Sequence, residues 1–157
     1  MARRRLKYSV EGSVPPERLI HALTDFSSDR PKYWPGQTSN QFRVVEREKT
    51  SALVREGTAM AWEQSRYDWS TPGLVVSTVV KSNFLNPGTT WEFRVKKRAG
   101  GGCHVDVVLE RDFRGLVGHA VEVGFLMPWA GTALAFALRR TLAILEKEES
   151  NHRTGAG

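Results

Sequence analysis

The chain has 157 residues, 40% hydrophobic and 25% charged, with one cysteine and a formal net charge of +6. That is the composition of a single globular domain able to bury roughly 70% of its unfolded surface, and with Cys103 alone it excludes a disulfide framework or a cysteine metal cluster. The cations permit an anionic partner, but Arg43, Arg47, Lys49, Arg55, Lys81 and Lys96 to Arg98 are scattered over strand-like sequence, so no nucleic-acid partner is expected.

The first predicted element is a strand. In "RLKYSVEG", Leu6, Tyr8 and Val10 alternate with Lys7, Ser9 and Glu11, the period of a half-buried strand. Arg3 to Arg5 have the sign of a signal-peptide start, but Leu6 to Val14 are too polar to form its apolar core, and a cytoplasmic location is expected. "SVPPERLIHALTD" then changes period: Pro15 and Pro16 suit a first helical turn, Glu17 favours its dipole, and Leu19, Ile20 and Leu23 share a face. "SSDRPKYWPG" predicts a second short helix stopped by Pro35 and Gly36.

From Gln41 to Phe113 the chain reads as about six antiparallel strands. "STPG" and "NPG" are turns between them. Trp91, Phe93 and Val95 point inward in "TTWEFRVKK"; Cys103, Val105, Val107 and Leu109 do so in "CHVDVVLERDF", with His104 outward. In "AWEQSRYDW" both faces carry an aromatic. Either Trp62 faces inward with Gln64, Arg66 and Asp68, or Tyr67 and Trp69 do so with Glu63 and Ser65. Val75, Ser77 and Val79 are expected on the convex side, opposite Val76 and Thr78, where an apolar strip would allow a homodimer.

After Arg114 the period becomes helical, with Met127, Leu134, Leu138, Leu142 and Leu145 recurring at spacings of a single face. One long helix is predicted, bent by Pro128 and Gly131 near Met127 and Trp129. Its uncharged run from Val123 to Leu138 is about 16 residues, short of the roughly 20 that span a bilayer, so no stable membrane insertion is expected. "SNHRTGAG" reads as a disordered tail, leaving residues 1–149 as one domain and 150–157 outside it.

Four strings in this order, "VPPERLIHALTDFSSDRPKYWPG", "YDWSTPG", "NPGTTWEFRV" followed by "GGG", and "LRRTLAILE", resemble the START-like or SRPBCC superfamily, in particular its polyketide cyclase/dehydrase branch. The resemblance implies an α+β helix-grip fold. A curved seven-stranded antiparallel sheet would wrap a long C-terminal helix, with two short helices between the first two strands and a tapering apolar cavity beneath. It also implies a small hydrophobic ligand, lipid or polyketide-like, either carried or acted on by a cyclase or dehydrase.

Residues expected to line that cavity are Trp62, Gln64, Arg66, Trp91, Phe93, Val105, Val107, Met127, Leu134 and Leu138, since five tryptophans in so short a chain favour gripping a flat molecule. Arg66, Asp68 and His119 are the candidates for catalysis: an arginine holds an enolate, and an acid or imidazole moves a proton. No metal or other cofactor is expected. His21, His104, His119 and His152 lack ligand spacing, and neither a phosphate loop nor a nucleophile elbow is present.

Overall fold

A computed structural model describes residues 3–34 and 41–156. Strand β1 (Arg4–Gly12) is followed by helices α1 (Pro16–Thr24) and α2 (Arg30–Tyr33). Six strands come next: β2 (Arg43–Arg47), β3 (Ser51–Gly57), β4 (Trp62–Asp68), β5 (Leu74–Ser82), β6 (Thr90–Lys97) and β7 (Cys103–Arg111). Helices α3 (Gly115–Phe125) and α4 (Ala130–Gly155) end the chain. Pro35 and Gly36, predicted to stop α2, lie outside the described residues.

The strands form one antiparallel sheet in the order β1-β7-β6-β5-β4-β3-β2, so the first strand closes against the last and every other neighbour is sequential. Alternation sets the faces as predicted in β1, β6 and β7: Val10, Phe93, Val95, Cys103, Val105, Val107 and Leu109 are buried. Leu142 and Leu145 of α4 sit on this face, with Leu19 and Leu23 of α1 in the same core. Gly12 brings α4 close to β1, since a Cβ there would lie 2.9 Å from the Leu142 side chain.

One expectation about faces is corrected, and one alternative left open is decided. On β5 it is Val75, Ser77 and Val79 that are buried, and Val76 and Thr78 that are less so, which removes the apolar convex strip. On β4 the buried side chains are Ser65 and Tyr67, with Glu63 on their side. The β4–β5 register slips between Gln64 and Ser65, where the extra residue is Val80 on β5, so β4 itself alternates without interruption.

The long C-terminal helix is present as α4, but the segment before Pro128 does not continue it: α3 and α4 meet at 86°. Pro128 lies in the break, where it has no amide hydrogen to donate and its ring obstructs a continued helix. The Leu126 amide still donates to Glu122 O (2.9 Å), and the Ala130 amide opens the next turn on Met127 O (3.0 Å). At its other end α4 continues to Gly155, across the segment predicted to be a disordered tail. His152 Nδ1 lies 2.9 Å from Glu148 O and Thr154 Oγ1 donates to Ser150 O, so side chains support this exposed last turn.

Candidate ligand cavity

Between the concave face and α4 lies a chamber of about 350 Å³, lined by Tyr8, Trp34, Trp91, Phe93, Leu134 and Leu138, with Phe136 and Arg140 also on its wall. Beside it a narrower space of about 80 Å³ shares Trp34, Trp91 and Phe93 and ends on Arg30, Glu56, Glu63, Tyr67 and Ser77. Trp91 and Phe93 stack with ring centroids 5.5 Å apart, as residues two apart on one strand face can. Trp34 is fixed by donating its indole N–H to Ala22 O of α1 (3.1 Å). A larger groove of about 440 Å³ between α1 and the end of α4 is lined by Arg18, Glu148, Glu149, His152 and Arg153; its charged walls suit water better than an apolar molecule.

The polar end is built by long-range pairing. Arg30 Nε donates to Glu56 Oε1 (2.7 Å), while its Nη1 donates to the carbonyls of Leu23 and Asp25 (3.2 Å each). The Tyr67 hydroxyl donates to Glu56 Oε2 (2.6 Å), and the Arg30 guanidinium lies 4.5 Å from the Phe26 ring centre. Glu63 accepts from Ser65 Oγ (3.3 Å) and faces Arg111, itself buried, across 3.6 Å. Burial pushes the Glu63 carboxyl above its ordinary value, with Arg111 opposing the shift. Burial also raises the Tyr67 hydroxyl, helped by the Glu56 carboxylate, and lifts Tyr8 to about 12. Both tyrosines are therefore neutral donors near neutral pH.

One group at the junction of the two spaces stands apart. The Trp91 Nε1–H is buried and meets no acceptor in full hydrogen-bond geometry; the Tyr8 hydroxyl is close enough for a weak contact with it.

Of the predicted lining residues, Trp91, Phe93, Leu134 and Leu138 meet around the chamber. Val105 and Val107 are buried in the solid core beside it. Met127 is exposed at the α3–α4 corner. Trp62, Gln64 and Arg66 are on the opposite face of β4 from Ser65 and Tyr67: Trp62 lies 3.8 Å under the Arg55 guanidinium, and Arg66 pairs with Glu46 at 3.1 Å on the surface. The catalytic candidates are likewise displaced from the cavity. Asp68 accepts from Ser70 in an exposed turn, and His119, 71% exposed, stands 3.6 Å from Glu122 on α3. Cys103 and His104 take the positions predicted, buried and outward.

The sequence reading missed Arg30 and Glu56, which are 26 residues apart and share no local motif. Glu63 and Tyr67 belonged to the alternative face that alternation left open. Tyr8 was already placed on the Leu6–Val10 face by its strand; Trp34 was given no face, its segment being read only as a short helix.

A family described as polyketide cyclase / dehydrase and lipid transport matches residues 3–148. No curated protein matches the chain by sequence. An aromatase/cyclase from a Streptomyces species superposes with a TM-score of 0.73 at 12% identity, over 93% of this chain and 95% of that one. Norcoclaurine synthase from Thalictrum flavum gives 0.66 at 10% identity, over 92% and 93%. A START superfamily protein from Mycobacterium smegmatis gives 0.59 at 11% identity, over 98% and 99%. At such identities the structural likeness establishes the helix-grip fold alone.

Proposed function

The chain belongs to the polyketide cyclase / dehydrase and lipid transport family, and from that premise we propose that it binds a small hydrophobic molecule, lipid- or polyketide-like, between the sheet and α4. One observation carries this reading: an aromatic-walled chamber of about 350 Å³ has on its wall a buried indole N–H, that of Trp91, with no well-aligned acceptor beyond a weak approach to the Tyr8 hydroxyl. A buried donor left unpaired costs about 1–3 kcal/mol, which a ligand oxygen accepting there would recover. Apolar contact with the walls adds about 25 cal/mol for each Å² removed from water. Glu56 and Glu63 each already face an arginine, so the charges at the inner end cancel in pairs and favour a neutral polar group such as a ketone.

Native mass spectrometry of freshly purified protein tests this, together with titration of a naphthyl ketone fluorophore. A co-purified hydrophobic molecule is expected, as is saturable fluorophore binding that weakens about tenfold in Trp91→Phe, which keeps the wall but removes the donor. Repeated absence of both a bound molecule and saturable binding would overturn the reading.

Catalysis by a cyclase or dehydrase in the same cavity is favoured by one feature, the burial-raised Glu63 carboxyl at the inner end, which suits a proton-transfer group. Turnover of a poly-β-keto substrate that vanishes in Glu63→Gln, with fluorophore binding retained, would assign the protein to that class.

A further inference from the structure

Helix α3 is apolar around most of its circumference and yet is not covered. Leu116 is 92% exposed and Val123 57%, and at the corner Leu126 is 51% and Trp129 60% exposed. Leu116, Ala120, Val123 and Met127 follow at helical spacing as one exposed stripe. Trp129, Ala133 and Phe136 form a second along α4 that ends at Arg140, and the two meet at the corner. Scattered surface apolar residues need no explanation, but a continuous set of this kind marks an interaction surface. Phe136 and Arg140 also belong to the chamber wall, so the second stripe leads to the ligand cavity.

Charge identifies the occupant. Between Arg114 and Arg139 the sequence holds one acidic residue, Glu122. Its carboxylate is taken by Arg4 at 2.8 Å, with His119 at 3.6 Å. The border of the apolar stripes is therefore cationic: Arg114 before α3, and Arg139 and Arg140 on α4, all exposed. Two copies meeting through this face would bring like-charged borders together, an arrangement that costs affinity. We propose that α3 and the α3–α4 corner dock on an anionic phospholipid surface, with Trp129 at headgroup depth and the chamber opening beside the bilayer.

The contact is peripheral. No single described helix is long and apolar enough to cross a membrane, and a helix of 11 residues reaches only about 16 Å, half the hydrocarbon thickness. This surface is independent of the ligand reading, because a protein that docks but retains no molecule would keep the one and lose the other.

The test is flotation of the full chain with vesicles of phosphatidylcholine alone or with about one third phosphatidylglycerol. The double variant Leu116→Ser/Trp129→Ser is the probe, as both side chains are exposed and neither lines the chamber. Association with the anionic vesicles is expected, reduced near 1 M salt where the screening length falls to about 3 Å, and about tenfold or more weaker in the double variant at unchanged Tm. Failure to associate with anionic vesicles, or equal association with neutral ones, overturns the proposal. So does a dimer of the full chain that the double variant converts to monomer, which would assign the face to a second copy.

Discussion

Helix α3 is the more apolar of the two last helices by sequence, yet α4 is the one the sheet covers. Along α4, Ala135, Leu138, Leu142 and Leu145 are buried in the core beneath the concave sheet and Thr141 is buried against α2, its hydroxyl donating to Tyr33 O, whereas α3 buries Gly118 alone. Where α3 does touch the rest of the fold it comes very close to the β5–β6 connection: a Cβ on Gly118 would lie 2.6 Å from Phe84 O. Phe125 adds an edge contact to Phe113, with ring centres 5.5 Å apart. Helical spacing of apolar residues thus marks a face that wants a partner, but the partner must be a surface of the right curvature. The sheet offers one such groove, and α4 occupies it.

That contrast can be broken most severely in the groove. Leu145→Ala removes a side chain with no exposure and is expected to cost about 2–5 kcal/mol in urea denaturation. A cost below about 1 kcal/mol would mean that α4 is not the seated helix.

An intermediate effect is expected at the ion cluster that ties α1 and α2 to α4. Glu148 accepts from Arg18 Nη2 (2.5 Å), Lys32 Nζ and the Tyr33 hydroxyl (3.3 Å). Partly exposed ion pairs are worth little individually, so Glu148→Gln should lower stability by about 1 kcal/mol. The Lys32 hydrogen bond, with further attraction from Lys32 and Arg18, holds this carboxyl below its ordinary value of 4.5. A depressed native pKa adds stability above the unfolded value that is lost as pH falls through the native one. Acid titration of Tm should therefore show a smaller loss below pH 4.5 in Glu148→Gln than in the parent.

The smallest effect is expected on the uncovered helix. Leu116→Ser, at a side chain 92% exposed, should change stability by no more than about 0.5 kcal/mol. A large loss there would show that α3 is packed in solution after all, and would remove the contrast with α4.

The legible part of the fold was its alternation and punctuation. Leu6, Tyr8 and Val10, or Cys103, Val105 and Val107, fall on one side because strand side chains alternate whatever the sheet does next. Pro16 fixed the start of α1, and Gly73, with φ of 75°, supplied the turn after β4. In the cavity, Trp91, Phe93, Leu134 and Leu138 could be picked out for the same reason: each lies on a face already marked as apolar. Arg30 and Glu56 could not, because a polar pair buried between α2 and β3 leaves no periodic trace in either segment.

The sequence by itself determined which residues share a face, roughly how many strands there are, and that Pro128 bends the chain near the start of the last helix. Tertiary structure alone decided that Tyr67 and Glu63, and not Trp62 and Arg66, belong to the concave side of β4, since a period of two separates the faces without saying which one the sheet curls around. It also decided the 86° between α3 and α4. A proline removes a hydrogen bond at one place in the chain. The direction taken beyond it depends on where the groove lies, and only the α4 side of the break found one.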